Sequence, residues 1–322
     1  MSPETPSEIA TQPRRSPPWR RALGIALALA CFVFVGDQIL SGWRQVAHLE
    51  WRIRPAWLAA SFVLVFANFA VAARSWRPVF VALDHRPIRL AQAFAIIYSA
   101  QLARYLPGRV WQFVGQAEAA RRMGFAASTA LTASVTQIIA GTAAGLVVAA
   151  GCAYASDEVA IALAALAGGF SVLAGLLLSG RFADRIAKRL PAHWRLSQVR
   201  FDVGIRGFCE VFAWGILGWV FHVGAVVALW AAVAPTDVDI AWRVASSYVF
   251  SYLFAFYTLV TPAGLGVREG AVTALLGPAI GAGPAGMLAI VQRIWFTVCE
   301  SVAFVIAAWL WRSEVRSDKK PG

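Results

Sequence analysis

The sequence predicts an all-α polytopic membrane protein with about six transmembrane helices and two re-entrant broken helices arranged as an inverted repeat. The first observation is composition: 59% of the 322 residues are hydrophobic and 14% are charged, against about half and about a quarter in soluble domains. The second is that apolar runs long enough to cross ~30 Å of hydrocarbon recur along the chain. Because backbone polar groups in lipid must be paired within their own segment, these runs are expected to be helices.

Six apolar runs are predicted to cross the membrane. They are residues 22–40, 57–73, 126–152, 158–179, 207–233 and 284–311. Two further apolar regions are interrupted by helix breakers: region 90–122 at the sequence YLPG, and region 244–281 at the sequence TPAGLG. Proline removes a backbone donor and glycine permits a reversal of the chain. Each of these regions is therefore predicted to be a broken helix rather than a simple span.

Loop charge indicates how the segments cross. The net charge of +12 would suggest nucleic acid in a soluble protein, but in a polytopic protein it is explained by the positive-inside rule. The strongly basic loops share one side only if both broken regions are re-entrant. The loops around Asp157 and around Asp237 then lie outside, and only the short loop 41–56 disagrees. Both termini are expected in the cytoplasm, and the protein in a bacterial inner membrane.

Counting the crossings divides the chain into two inverted halves. Residues 19–155 contain two spans, a broken segment and a third span, and residues 156–312 repeat that order upside down. A disordered tail, 1–18, and a short tail, 313–322, are both expected in the cytoplasm. Inverted repeats with discontinuous helices are a recurring transporter architecture. Without room for a soluble catalytic domain, and without a nucleotide or metal motif, the protein is expected not to be an enzyme and to need no cofactor or metal.

Ionisable groups at membrane depth identify the candidate substrate site, because each costs about 2.5–3.5 kcal/mol unless it faces a cavity or a partner. The helices that follow Pro107 and Gly264 present free amides, which attract anions, and Arg109 and Arg268 add guanidinium groups suited to phosphate. The candidate residues are Arg104, Tyr105, Pro107, Gly108, Arg109, Gln112, Glu118, Thr261, Pro262, Gly264, Gly266, Arg268, Glu269, Arg293 and Glu300.

Other interpretations of these residues are open. Glu118 and Glu269 could orient the arginines, bind a cationic headgroup or carry protons. Arg268 and Glu269 could equally pair with charges on neighbouring spans for purely structural reasons. On the last span, Arg293 and Glu300 are spaced to share one helix face. His222 is interpreted as a packed histidine with satisfied ring nitrogens rather than as a proton relay.

The two broken segments carry a resemblance to a known family. The sequences QLARYLPGRVWQFVGQAE at 101–118 and TPAGLGVREG at 261–270 resemble the flippase-like transmembrane family named after lysylphosphatidylglycerol synthase. The similarity covers about residues 20–312, with Ala263 where the family more often has glycine. The resemblance implies a translocase of polar lipids or lipid-linked sugars. The soluble aminoacyltransferase domain of the fused members is absent, which argues against lipid lysylation.

Two functional hypotheses follow. The first is a translocase whose partners are membrane lipids with an anionic headgroup. The second is a non-transporting scaffold that presents lipid to a separate glycosyl- or aminoacyltransferase, which would then be a protein partner. Nucleic acid is not an expected partner, and the oligomeric state is unknown from the sequence.

Overall fold

The computed structural model describes residues 53–105, 111–155, 168, 170, 203–257 and 266–317. Within these residues the chain is helical and contains no strand. The helices are α1 (Pro55–Arg74), α2 (Arg77–Asp84), α3 (Leu90–Ser99), a 3-10 turn (Gln101–Tyr105), α4 (Trp111–Arg122), α5 (Ala127–Ala155), α6 (Gly204–Val233), α7 (Val238–Tyr257), α8 (Val267–Ile280) and α9 (Ala282–Ser317). The all-helical prediction is confirmed for this part of the chain.

Four helical stretches in the described residues are long and apolar enough to cross a membrane. They are Pro55–Asp84, Ala127–Ala155, Gly204–Val233 and Ala282–Ser313. They cover the predicted spans 57–73, 126–152, 207–233 and 284–311 apart from residue 126. The protein is therefore an integral membrane protein. The predicted span 22–40, the tail 1–18 and nearly all of span 158–179 lie outside the described residues.

Helix ends follow local sequence signals, and two helices extend six residues beyond the predicted ranges. Helix α7 begins at Val238 rather than at residue 244, because Asp237 Oδ1 accepts a hydrogen bond of 2.8 Å from the backbone N–H of Ile240 and caps the helix. Helix α9 continues to Ser317, into the stretch predicted to be a tail. At the junction of α1 and α2, Pro78 has no N–H to bond the carbonyl of Arg74, and the long helix is interrupted there.

Helices α1 and α6 pack against each other along most of their lengths and run antiparallel. Their contacts occur in opposite order along the two helices: Arg54 with Ala232, Ser61 with Ala225, Asn68 with His222, and Arg74 with Glu210. Ser61 Oγ donates to the Ala225 carbonyl at 2.7 Å and also accepts from Trp295 Nε1 at 3.0 Å. The buried Ser61 hydroxyl therefore joins α1, α6 and α9.

The packing of the remaining helices is repeated in the two halves. Helix α5 packs against α7, and its counterpart α9 packs against α3. Within each half the second arm of the broken segment packs on the last helix, α4 on α5 and α8 on α9, while the first arm contacts the long helix before it, α3 on α1 and α7 on α6. Exchanging the two halves leaves this pattern unchanged.

The interface between α5 and α6 depends on a glycine. The indole N–H of Trp219 on α6 donates to the Gly141 carbonyl on α5 at 2.7 Å. One turn along α5, Gly145 lies against the same ring, and a Cβ added there would lie 2.8 Å from the indole. Small residues at helix contacts let backbones and large rings approach closely in membrane proteins.

Candidate functional site

The first broken segment is attached to α9 by a buried ion pair. Arg104 lies in the 3-10 turn that follows α3, and its Nη2 is 2.5 Å from Glu300 Oε1 on α9. The Glu300 side chain is 3% exposed and that of Arg104 is 25% exposed. An unpaired charge buried to this extent is costly, and a cation in contact with it offsets that cost. The pair therefore fixes the end of α3 against the last helix.

The second broken segment is attached to the same helix by a second ion pair. Glu269, in the first turn of α8, accepts a hydrogen bond of 2.5 Å from Arg293 Nη1 on α9. Its other carboxylate oxygen accepts from the backbone N–H of Gly266 at 2.8 Å. Gly266 has a φ of 79°, a value that glycine adopts without strain. Glu269 therefore caps α8 and holds it against α9, and its described partners do not include its neighbour Arg268.

Arg268 points to the other side of α8 and is held by an aromatic and an amide group. Its Nη2 donates to Tyr248 Oη and to Gln292 Oε1, both at 2.5 Å. Its guanidinium carbon lies 4.8 Å from the centre of the Tyr248 ring and 5.2 Å from that of Tyr252, within the range of a cation–π interaction. Arg268 Nε is buried and has no hydrogen-bond partner among the described residues. These contacts fix the orientation of the Arg268 guanidinium, and its Nε–H is a donor without an acceptor among the described residues.

Tyr248 links this arginine to the interface of α1 and α6. Gln292 Nε2 also donates to Tyr248 Oη at 3.2 Å, and His222 Nε2 lies 2.5 Å from the same oxygen. Tyr248 Oη therefore contacts side chains of three helices, Arg268 on α8, Gln292 on α9 and His222 on α6. The other ring nitrogen of His222 contacts the Asn68 amide at 3.1 Å, and the ring stacks on Tyr248 and Phe296. His222 is the packed histidine that the sequence predicted.

These contacts form one group, which we call the central cluster. It consists of Arg104, His222, Tyr248, Arg268, Glu269, Gln292, Arg293 and Glu300. His222 and Tyr248 both lie within electrostatic range of Arg104 and Arg268, so the two broken segments contribute to a common field. Three guanidinium groups and two carboxylates leave the cluster with one net positive charge, with the histidine neutral. A partly buried site of that charge attracts an anion.

Glu118 lies elsewhere. Its carboxylate accepts from Arg121 Nε and Nη2, both at 2.9 Å, and from Arg122 Nε at 2.8 Å. These hydrogen bonds, first from Arg121 and then from Arg122, lower the pKa of Glu118 to about 2. All three contacts are made within α4, on its exposed surface. The described partners of Glu118 are therefore the basic end of its own helix and not the central cluster.

The other predicted site residues are distributed as follows. Gln112 is half-buried on α4, while Gln116 of the same helix is buried and accepts a hydrogen bond of 2.8 Å from Ser134 on α5. Tyr105 ends the 3-10 turn. The residues outside the described part of the chain are Pro107, Gly108, Arg109, Thr261, Pro262 and Gly264. Of the predicted residues, the structure brings Arg104, Arg268 and Glu269 into contact with α9, which carries Arg293 and Glu300.

The sequence did not identify two members of the central cluster, Gln292 and Tyr248, or Asn68, which contacts His222 of the cluster. Gln292 precedes Arg293 and, at 1% exposure, is the more buried of the two. An amide inside a predicted span was a usable signal, because a buried polar group needs a partner. Asn68, in the predicted span 57–73, carried the same signal. Tyr248 did not, since a tyrosine in an apolar helix has many possible environments.

Comparison with known proteins agrees with the two motifs. A family model described as the lysylphosphatidylglycerol synthase TM region matches residues 21–299, which confirms the family that the motifs resemble. The matched region contains both broken segments and ends one residue before Glu300. No curated protein matches the chain at a significant level.

Proposed function

The chain belongs to the lysylphosphatidylglycerol synthase TM region family, a family of membrane proteins, and we propose that it is a membrane lipid translocase. It moves a polar or anionic phospholipid, or a lipid-linked intermediate, between the two leaflets, and it carries out no chemical reaction on that lipid. The observation that carries the proposal is that Arg104 and Arg268, one from each broken segment, converge on the polar face of α9.

The charge of the central cluster favours a phosphate-containing headgroup. A phosphodiester carries one negative charge, which matches the net positive charge of the cluster. Arginine binds phosphate oxygens through a planar set of donors. Tyr248 and Gln292 already fix the orientation of Arg268, so little side-chain entropy is lost on binding. The acyl or prenyl tails remain in the surrounding lipid while the headgroup passes the cluster.

The proposed topology is an inverted repeat with two re-entrant segments. The repeated packing of the halves and the antiparallel contact of the equivalent helices α1 and α6 support it, because a two-fold axis in the membrane plane relates equivalent helices in this way. Alternating access then corresponds to movement of one half against the other. Both broken segments are tied to α9, so such a movement must carry or break the Arg104–Glu300 and Arg293–Glu269 pairs. Both termini are proposed to lie in the cytoplasm of a bacterium.

A reconstitution experiment tests the proposal. Full-length protein is placed in vesicles with a trace of fluorescent phosphatidylglycerol, and a membrane-impermeant quencher reports how fast inner-leaflet label becomes accessible. Loss of a charged hydrogen bond costs about 1.5–3 kcal/mol, so R104Q and R268Q are expected to slow the protein-dependent rate about 10- to 100-fold. The exposed Arg312→Gln is the matched control and is expected to keep the wild-type rate.

Two results would count against translocation. Wild-type protein that accelerates neither a phospholipid nor a polyprenyl phosphate would contradict it. Wild-type rates in R104Q and R268Q, combined with co-purification of a glycosyl- or aminoacyltransferase, would favour the scaffold function instead.

A further inference from the structure

A cavity outside the central cluster lies between the N-terminal half of α7 and the last turns of α8. Its volume is about 370 Å³, within the range of about 300–1,000 Å³ found for small-ligand sites. The wall from α7 consists of Asp239, Ile240, Arg243 and Ser247, and the wall from α8 consists of Leu275, Pro278 and Ala279. The cavity shares no lining residue with the central cluster. It is therefore a separate candidate site with a composition of its own.

Among the described residues that line this cavity, the charged ones are Asp239 and Arg243, and these two form an ion pair whose charges cancel. Arg243 Nε donates to Asp239 Oδ2 at 2.8 Å, and the two residues are one helical turn apart on the same face as Ser247. A simple anion at Arg243 would be repelled by Asp239, and a simple cation at Asp239 would be repelled by Arg243. A ligand that carries both charges on one short group can pair with both residues at once. Electroneutrality of the wall thus favours a zwitterion over an ion of either sign.

The acceptor in this cavity that suits an ammonium group is the Asp239 carboxylate. Asp239 lines the cavity and its side chain is 60% exposed, so a primary amine in the cavity can reach a carboxylate oxygen. Asp239 therefore makes one end of the cavity suitable for such a group.

The surroundings of the cavity resemble a membrane interface. At the end of α7 that lines the cavity, Trp242 is 40% exposed and Val238 is 73% exposed. Leu275, in the α8 wall of the cavity, is 51% exposed. Exposed tryptophan is typical of the headgroup level of a bilayer. Exposed aliphatic side chains next to it are suited to contact with acyl chains. The cavity thus combines a charged wall for a headgroup with apolar surface for tails.

We propose that this cavity binds the headgroup of an amine-bearing zwitterionic phospholipid. The phosphate contacts Arg243 and Ser247, the ammonium contacts Asp239, and one acyl chain lies along Leu275. The lipid inserts its two charges between those of the Asp239–Arg243 pair, so that each charge keeps an opposite partner. The binding is an equilibrium and does not depend on whether the central cluster translocates lipid.

Native mass spectrometry of the full-length protein, titrated with single lipids in detergent, tests the site. Wild-type protein is expected to retain phosphatidylethanolamine at least fivefold more tightly than phosphatidylglycerol. D239N is expected to lose about tenfold in ethanolamine-lipid affinity and to gain affinity for phosphatidylglycerol, because the wall then carries a net positive charge. R243Q is expected to weaken both lipids, because both contain the phosphate.

The matched control is Asp237→Asn, which removes a carboxylate from the same helix end outside the cavity while asparagine still caps the helix. It is expected to keep the wild-type lipid preference. Equal retention of both lipids by wild-type protein, or the same loss in D237N as in D239N, would overturn the proposal. Soluble glycerophosphoethanolamine that competes as strongly as the lipid would overturn the lipid assignment. Weak competition supports it, because the tails then contribute to binding.

Discussion

The pair formed by Arg104 and Glu300 gives the sharpest test of the central cluster. Removing one partner of a buried pair costs about 3–5 kcal/mol, because the other charge is left without compensation. Arg104 is one-quarter exposed, so water offsets part of this cost, and glutamine keeps an acceptor oxygen at position 300. We therefore expect E300Q to lose about 2–3 kcal/mol. At about 2–3 °C per kcal/mol for a chain of this size, the unfolding temperature falls by about 4–9 °C.

A double-mutant cycle separates the pair from the general effect of a polar substitution. R104Q, E300Q and the double variant are unfolded in the same detergent, with the intrinsic fluorescence of the 14 tryptophans as the signal. If the two side chains interact as described, the double variant is less destabilised than the sum of the single variants by about 1–3 kcal/mol. E210Q is the control, because Glu210 is half-exposed and 3.9 Å from Arg74, and such pairs contribute little. Additive losses in the cycle would refute the proposed pairing of the first broken segment with α9.

Three further predictions follow from single contacts and from loop charge. G145A is expected to destabilise the protein by about 1–3 kcal/mol in thermal unfolding, because the added Cβ would lie 2.8 Å from the Trp219 indole. G151A on the same helix is the control, because a Cβ added there meets no atom within 4 Å. Y248F removes the acceptor shared by Arg268 and Gln292 and is expected to slow lipid translocation about tenfold. Y154F, at an exposed tyrosine, is expected to leave the rate unchanged. An undiminished rate in Y248F would contradict the role of the Tyr248 hydroxyl in orienting Arg268. Reporter fusions after residues 122, 155, 190, 237 and 320 are expected to read inside, outside, inside, outside and inside, and an outside reading at 190 would contradict the re-entrant topology.

The candidate site was predicted in part. Arg293 and Glu300 could be assigned to one face of the last helix from their spacing alone. In the structure each forms an ion pair, Arg293 with Glu269 and Glu300 with Arg104. Of the interpretations left open for Glu269, the described contacts show a pair with Arg293 on α9 and no contact that orients Arg268. Consecutive residues on a helix point about 100° apart, so Glu269 faces Arg293 while Arg268 faces Tyr248. The choice between those two directions depends on how α8 is rotated against α9.

The start of α7, in contrast, is determined by a local sequence signal that lies outside the apolar pattern. Asp237 is a favourable N-cap residue three positions before Ile240, and it starts the helix six residues before the apolar pattern does. That extension moves Asp239 and Arg243 onto the helix and makes them neighbours at one turn. The cavity between α7 and α8 therefore depends on a cap that hydropathy alone does not detect.

The sequence by itself determined that this is a helical membrane protein of a known family with two interrupted segments. Span length, helical pairing of the backbone in lipid, and helix breaking by proline and glycine are all local effects. Only the tertiary structure decided which charges neutralise one another, because a buried ion is stabilised by whichever partner the packing brings within a few ångströms. Arg104 and Glu300 come from opposite halves of the chain, and nothing in the sequence near either residue identifies the other as its partner.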